Sequence, residues 1–203
     1  MQPPLPIGTL LQSRYRVVRL LGQGGFGRTY QGEDQGRFNE PCAIKEFVPQ
    51  QGEAQFSTKA TQLFQREANI LYQIQHPQIP QFRASFEVEQ RLFLVQDYVE
   101  GLTYRDLLNQ RRSQNSFFSE AEVRQFLQQM LPVLAHIHAK GIIHRDISPD
   151  NIILRNRDRL PVLIDFGVVK EVVTRVQMTT EATYHPTTVG KPGYAPSEQM
   201  QSG

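Results

Sequence analysis

Three glycines with the spacing Gly-x-Gly-x-x-Gly stand at Gly22, Gly24 and Gly27. Glycine lets a backbone approach phosphate groups closely and leaves its N–H donors unhindered. A dinucleotide-binding fingerprint would require a helix directly after the glycines. Here Arg28–Gln31 has the composition of a strand. A hairpin over a nucleotide therefore fits better, and a glycine-rich hairpin without function is the alternative.

Lys45 and Glu67 are candidates for a buried ion pair. Lys45 lies in a run of apolar residues, and Glu67 lies four positions from both Leu63 and Leu71. This spacing places the Glu67 carboxylate on the inward face of a helix. A buried carboxylate without a cation is costly, so Lys45 is its expected partner. The alternatives are a Lys45 that extends along the surface into solvent and a Glu67 at the wet edge of the helix face.

Polar residues crowd the segment from His144 to Asn151. Asp146 and Asn151 are five positions apart in a predicted loop, so both side chains can point at one site. Asp165 directly follows an apolar run and precedes Phe166-Gly167. A carboxylate at a strand end suits a hard cation such as Mg²⁺, which takes oxygen ligands. A purely structural hydrogen-bond network is the alternative for the loop.

The first hundred residues contain the elements that would carry the glycines, the lysine and the glutamate. Runs of β-branched and apolar residues predict strands at Tyr15–Leu21, Arg28–Gln31, Cys42–Val48, Gln81–Val88 and Leu92–Asp97. Apolar residues at three- and four-residue spacing predict a helix over 58–75, which the His76-Pro77 pair ends. Residues 1–14 include a proline-rich stretch and predict a flexible lead-in.

The predicted structure becomes mainly helical after Gly101. Ser119 stands three residues before Glu122, which is a capping-box pattern at the start of a helix that ends near Gly141. Further elements are predicted as a short helix at Thr103–Asn109 and short strands at Ile152–Leu154 and Val162–Ile164. Residues 168–203 show little periodicity and are predicted to form a long exposed segment.

The composition excludes several classes of protein. The 203 residues include 22 Lys+Arg and 20 Asp+Glu, a net charge of +2, so no broad basic surface for nucleic acid is expected. The lone Cys42 cannot form an internal disulfide, which fits a reducing compartment. No stretch approaches the ~18 consecutive apolar residues of a membrane span. With no signal-peptide pattern at the N-terminus, we expect a soluble cytoplasmic protein without a membrane segment.

In their order along the chain, the glycine-rich hairpin, Lys45, Glu67, the His-Arg-Asp-x-x-x-x-Asn segment and Asp165-Phe166-Gly167 resemble the protein-kinase signature. The chain is similar to the eukaryote-like serine/threonine protein kinases of cyanobacteria. The resemblance implies a two-lobed α+β protein-kinase-like fold. Its N-lobe, residues 15–100, would be an antiparallel five-stranded sheet with one main helix. Residues 101–203 would form a helical C-lobe.

The resemblance also implies the substrate and cofactor, ATP and Mg²⁺, and a partner class, proteins phosphorylated on Ser or Thr. Asp146 would accept the proton of the substrate hydroxyl, and Asn151 and Asp165 would bind Mg²⁺. Lys45, positioned by Glu67, would hold the α- and β-phosphates. The three glycines would cover the ATP phosphates.

Further positions match the adenine site of the family. Leu21, Ala43 and Ile153 match residues that sandwich adenine. The backbone carbonyl of Asp97 and the backbone N–H of Val99 match the hinge hydrogen bonds to the base.

The sequence departs from the family pattern at several positions. Thr29 stands where a valine usually contacts adenine. Ser148 stands where a lysine usually lies near the γ-phosphate, and Lys191 stands where a threonine usually lies beside that lysine and the catalytic aspartate. We hypothesise that Lys191 supplies the missing positive charge as a further catalytic residue. Ser197 also replaces the proline of the Ala-Pro-Glu motif, which ends here at Glu198.

The chain ends five residues after Glu198, whereas the family continues with further helices. We therefore expect a catalytic domain truncated after this motif, with an incomplete C-lobe, that binds ATP but is unstable or weakly active alone. The expected activity is transfer of the ATP γ-phosphate to protein Ser or Thr hydroxyls. The alternatives are a pseudokinase or ATP-binding scaffold without turnover, and a small-molecule phosphotransferase.

Overall fold

The computed structural model of the chain describes residues 3–24, 27–47, 54–166, 170–171 and 193–194. The chain forms two compact units. The first unit comprises Met1–Gln75 and Pro80–Val99, and the second comprises His76–Ile79 and Glu100–Gly203. The predicted domain boundaries stay a prediction.

An antiparallel sheet of six strands forms the first unit, in the order β1-β2-β3-β4-β6-β5. Its strands are β1 (Leu10–Leu11), β2 (Tyr15–Gly24), β3 (Gly27–Asp34), β4 (Glu40–Phe47), β5 (Phe82–Val88) and β6 (Arg91–Asp97). Helix α1 (Ala54–Gln73) packs against β5 and β6. All five predicted strands and the predicted helix are therefore present.

The prediction of five strands was wrong by one, because β1 adds an edge strand within the expected lead-in. Leu10 pairs with Arg16 and Leu11 pairs with Tyr15. The turn between β1 and β2 places Gln12 and Ser13 at positive φ, a conformation that neither residue type signals in a sequence. Leu11 is buried, so burial of one apolar side chain adds to the hydrogen bonds of this short strand.

Alternation along the strands gives the sheet two different faces. One face holds an apolar cluster, whose buried members are Leu11, Tyr15, Val17, Tyr30, Cys42, Ile44, Phe93 and Val95. Residues of β4 that lie between the members of this cluster, such as Ala43 and Lys45, point to the other face. The sheet thus separates a closed apolar core from a face that carries functional groups.

In the part of the second unit that the structure describes, two helices combine with short strands. Its helices are α2 (Tyr104–Ser113) and α3 (Glu120–Ala139), and its strands are β7 (Gly101–Thr103), β8 (Ile142–Ile143), β9 (Ile152–Arg155), β10 (Pro161–Leu163) and β11 (Lys170–Glu171). The strands pair as β10-β9-β7 and as β11-β8. The predicted capping box of Ser119 and Glu122 is confirmed at the start of α3. A second one, of Thr103 and Asp106, starts α2.

Helix α3 buries only part of the apolar stripe that its sequence predicts. Met130 and Ile137 are buried, whereas Val123 and Leu127 are exposed. Most of the predicted exposed segment 168–203 lies outside the described residues. Within the described parts of the chain, the helices are too short or too polar to cross a bilayer.

Candidate active site

Lys45 and Glu67 form an ion pair in the first unit. Lys45 Nζ lies 2.6 Å from Glu67 Oε1, and the two side chains are 11% and 1% exposed. Glu67 belongs to the inward stripe of α1 with Phe64, Ala68 and Leu71, which are all buried. Because the pair is shielded from water, the carboxylate fixes the direction in which the ammonium group points. Such a fixed cation is suited to binding an anionic group.

The strand register places two of the predicted adenine positions on the face that carries Lys45. Thr29 of β3 lies directly opposite Lys45, and Ala43 lies two residues before Lys45 on β4. Directly opposed residues and alternate residues share one face of a sheet. Thr29, Ala43 and Lys45 therefore face the same side. Leu21 of β2, a third predicted adenine contact, is 38% exposed.

The three glycines lie where β2 and β3 approach their connection. Gly22 pairs with Thr29, and Gly24 pairs with Gly27. A side chain added at Gly22 or Gly24 would meet no atom within 4 Å, so open space surrounds both positions. Gly27 has φ +151°, and a Cβ there would lie 1.9 Å from the carbonyl oxygen of Glu46. The packing of the sheet therefore requires glycine at position 27, whereas it leaves room for a side chain at positions 22 and 24.

The predicted hinge residues lie at and just beyond the end of β6: Asp97 is its last residue, and Tyr98 separates it from Val99. The Asp97 backbone N–H donates to the carbonyl of Gln81 at 2.9 Å. The Asp97 carboxylate accepts a hydrogen bond from Arg83 Nε at 2.8 Å. Val99 lies two residues beyond the strand and is half-buried.

In the second unit, Asn151 and Asp146 are in direct contact. Asn151 Nδ2 donates to Asp146 Oδ2 at 2.7 Å and to the Asp146 carbonyl at 2.8 Å. Asn151 closes a short 3-10 turn, Pro149–Asn151, that follows Ser148. The five-residue separation in the loop therefore brings both side chains to one place, as expected.

His144 and Ile164 join this loop to the segment that carries Asp165. His144 Nδ1 accepts from the backbone N–H of Asp146 at 3.3 Å, so Nε2 carries the proton that is donated to the carbonyl of Ile164 at 3.1 Å. The backbone N–H of Ile164 donates to the carbonyl of Asn151 at 2.9 Å. Asp165 follows with φ +64°, a left-handed conformation that is unusual outside glycine.

Phe166 adds an apolar contact to this arrangement. Its ring lies 4.7 Å from the His144 ring, edge to face, and both residues are almost fully buried. The hydrogen bonds of His144 and the ring contact together hold the 144–151 loop against the Asp165 segment.

Ser148 is buried in the 144–151 loop of the second unit. It is 2% exposed, and its hydroxyl has no hydrogen-bond partner among the described residues. Lys191, the residue expected to compensate for Ser148, lies outside the described residues. Ile153, the adenine contact predicted in this unit, is half-buried on β9 and pairs with Val162 and Thr103.

Asn151 and Asp165, the predicted metal ligands, offer amide and carboxylate oxygens. Mg²⁺ takes oxygen ligands, and it is often bound by one or two carboxylates together with substrate phosphates and water. The described residues contain no cluster of three or more His, Cys, Asp or Glu side chains that would hold a metal ion by themselves. These oxygens fit a Mg²⁺ ion that is bound jointly by the protein and by the phosphate groups of a ligand.

Two residues near these groups were missed by the sequence analysis. Gln78 is buried, and its side-chain amide Nε2 donates to the carbonyls of Gln129 and Pro161 at 3.1 and 2.8 Å. Arg83 contacts Asp97 and two other carboxylates. Neither contact has a signal in the local sequence, because both depend on elements that are distant along the chain.

The protein kinase domain family matches residues 15–203, and the chain belongs to that family. Solved structures agree with this fold. A crystal structure of a kinase domain superposes with a TM-score of 0.75 at 19% identity, covering 97% of this chain and 60% of that one. The apo form of PpkA-294 superposes with a TM-score of 0.70 at 27% identity, covering 81% of this chain and 62% of that one.

Among curated proteins, the chain is similar to cyanobacterial kinases. It is 44% identical to the serine/threonine-protein kinase PknA of Nostoc sp. over 193 residues, which is 94% of this chain and 34% of the relative. It is 40% identical to the serine/threonine-protein kinase B of Synechocystis sp., over 94% of this chain and 33% of the relative. The chain thus spans about a third of the length of these relatives.

Proposed function

We propose that this chain carries the catalytic centre of a serine/threonine protein kinase, which transfers the γ-phosphoryl group of ATP to Ser and Thr hydroxyls of proteins. The observation that carries the proposal is the buried contact of 2.6 Å between Lys45 Nζ and Glu67 Oε1. A lysine held by a carboxylate inside a protein kinase domain is suited to bind the α- and β-phosphates.

In the first unit, Lys45 binds the phosphates and Glu67 keeps its ammonium group in place. Gly22, Gly24 and Gly27 leave room for phosphate oxygens beside the backbone. The base packs against Leu21, Thr29 and Ala43, and it hydrogen-bonds to the carbonyl of Asp97 and the N–H of Val99.

In the second unit, Asp146 accepts the proton of the substrate hydroxyl. The hydroxyl oxygen forms a bond to the γ-phosphorus, and the bond from that phosphorus to the bridging oxygen breaks, so that ADP leaves. Asn151 and Asp165 would hold Mg²⁺, which would supply positive charge to neutralise the phosphates. The hydrogen bonds of Asn151 to Asp146 orient the carboxylate of the base.

We also propose the division of the chain that the sequence predicted. Residues 15–100 act as the nucleotide-binding lobe, and residues 101–203 carry the catalytic and activation segments of the second lobe. The protein partners are substrates with accessible Ser or Thr, and the place of action is the cytoplasm. A single Cys42, fully buried, supports a reducing compartment.

Lys191 is proposed to supply the positive charge that Ser148 lacks. The Ser148 hydroxyl is neutral and cannot supply positive charge to a phosphate, and the residue is 2% exposed. Lys191→Ala is therefore expected to lower kcat strongly, and adding Ser148→Lys is expected to restore part of it. An unchanged kcat in Lys191→Ala would refute this exchange of roles.

An ATP-binding scaffold without turnover is the second candidate, and the serine at position 148 favours it. Two measurements on the full chain separate the candidates. Thermal unfolding with and without Mg·ATP reports nucleotide binding, and transfer of labelled phosphate to a Ser- and Thr-containing protein reports turnover. Binding with transfer that Asp146→Asn abolishes supports the kinase. Binding without transfer supports the scaffold, and the absence of binding contradicts both.

A further inference from the structure

Arg83 lies among three carboxylates in the first unit. Its side chain is 8% exposed. Its Nε donates to Asp97 Oδ1 at 2.8 Å, Nη2 lies 3.1 Å from Glu40 Oε2, and Nη1 lies 3.8 Å from Asp34 Oδ2. One planar guanidinium thus connects the end of β6 to the end of β3 and the start of β4.

A β-bulge directs Arg83 toward these carboxylates. Phe82 pairs with Gln96 and Ala84 pairs with Val95, so Arg83 is the extra residue of β5. A bulge of this kind redirects a side chain and increases the local twist. The orientation of Arg83 is therefore built into the pairing of β5 with β6.

One of the carboxylates beside Arg83, that of Asp34, is itself held in place. Asp34 is completely buried, and Arg14 binds it through two hydrogen bonds of 2.6 and 2.9 Å. The hydrogen bond from Arg14 lowers the pKa of Asp34, so this carboxylate stays charged near neutral pH. Arg83 therefore connects Asp97 to a fixed, charged part of the sheet.

Asp97 is held on two sides at the point where β6 ends. Its backbone N–H donates to the Gln81 carbonyl at 2.9 Å. Its carboxylate receives Arg83 Nε at 2.8 Å, and the Gln81 N–H approaches the other carboxylate oxygen at 3.4 Å. Arg83 thus holds the Asp97 side chain, which is 37% exposed, at the end of β6.

We propose that Arg83 is a positioning residue for recognition of the nucleotide base, because it fixes the direction of the Asp97 carbonyl through the Asp97 carboxylate. The inference rests on the proposed function, in which this carbonyl accepts a hydrogen bond from the base. In adenine the donor is the 6-amino group. Arg83 therefore contributes to the preference for a base with that group, without touching the nucleotide.

The test compares two nucleotides that differ only in the amino group, ATP and purine riboside 5′-triphosphate. The dissociation constant of each is measured for the full chain and for Arg83→Gln. We expect the unaltered chain to prefer ATP, and Arg83→Gln to reduce that preference by about three- to tenfold, the range that one hydrogen bond supplies. Affinity for the analogue should change little, because it cannot donate to the carbonyl.

Arg14→Gln is the matched control. Among the described residues, Arg14 pairs with the same Asp34 but not with Asp97, and its side chain is 43% exposed. Both variants disturb the Asp34 network, so both can lower the melting temperature. Only Arg83→Gln should change the ratio of the two dissociation constants. A purely structural role for Arg83 predicts equal ratios in both variants and would overturn the inference.

Asp97→Ala provides a second route if Arg83→Gln does not fold. This variant removes the carboxylate but keeps the backbone carbonyl, so it should reproduce the loss of preference. An unchanged preference in Asp97→Ala also overturns the inference. If the unaltered chain binds neither nucleotide, the proposed function itself fails, and that result differs from binding with an unchanged ratio.

Discussion

Gly27→Ala is expected to destabilise the first unit, whereas Gly24→Ala is expected to spare its stability and weaken nucleotide binding. At Gly27 a Cβ would lie 1.9 Å from the carbonyl oxygen of Glu46, and real Cβ contacts essentially never fall below 3.0 Å. Strands β3 and β4 would have to separate by 3.0 − 1.9 = 1.1 Å or more at this point. The positive φ of +151° adds strain for any residue with a side chain.

The size of the Gly27→Ala effect follows from these contacts. Overpacking costs about 1–3 kcal/mol, and each backbone hydrogen bond lost between the strands costs about 1 kcal/mol. A loss of about 2–4 kcal/mol would lower the melting temperature by about 5–15 °C, at 2–4 °C per kcal/mol. At Gly24 no atom lies within 4 Å of the added methyl group, so the melting temperature should stay close to that of the unaltered chain.

Thermal unfolding without ligand and titration with Mg·ATP measure the two effects separately. We expect Gly24→Ala to weaken nucleotide binding by about tenfold, which corresponds to 1.4 kcal/mol, because the methyl group occupies space next to the proposed phosphate position. Gly22→Ala, which is also in open space, is the parallel variant. The reasoning is refuted if Gly24→Ala destabilises the chain as much as Gly27→Ala, or if it leaves nucleotide affinity unchanged.

Two further predictions concern stability. Glu46, with its side chain 1% exposed, is paired with buried Arg28, so Glu46→Ala should lower the free energy of unfolding by about 3–5 kcal/mol in urea titrations. Glu33→Ala, which breaks an exposed pair on the same sheet, should cost less than about 1 kcal/mol, and equal losses would contradict this contrast. Burial lowers the pKa of His76, with a smaller effect from the neighbouring His136. The unfolded state therefore binds the proton first as pH falls, and stability decreases below about pH 6.5 until the folded-state pKa is reached. His76→Asn should flatten this part of the stability curve, and an unchanged slope would contradict the assignment.

The Lys45–Glu67 pair could be predicted because it depends on two local patterns. Alternation along β4 places Lys45 on one face, and the helical spacing of Glu67 places its carboxylate on the inward stripe of α1. The capping box at Ser119 was predictable for the same reason, since it requires residues only three positions apart. The contact of Asp146 with Asn151 was likewise predictable, because the two residues lie five positions apart in one loop.

The edge strand β1 and the contacts of Arg83 could not be predicted from local sequence. Strand β1 has only two residues, Leu10–Leu11, which is too short for a periodic pattern. This strand forms because it pairs with β2 and because Leu11 is buried. Arg83 reaches Asp97 because of a bulge between β5 and β6, and the register of two strands is set by the whole sheet.

The exposed residues of α3 show a further limit of pattern reasoning. Val123 and Leu127 have the spacing of a buried stripe, yet both are exposed, whereas Val133 is fully buried. A periodic pattern predicts that a helix has an apolar face. The pattern does not predict which part of that face other residues cover, and among the described residues only part of it is buried.

Mass spectrometry of the full chain after incubation with Mg·ATP and a Ser- and Thr-containing protein tests the central claim most directly. The kinase assignment predicts that phosphoryl groups are added to Ser or Thr of the protein and that Asp146→Asn abolishes this addition. A substrate without added phosphoryl groups, or equal addition by the unaltered chain and Asp146→Asn, would contradict the assignment.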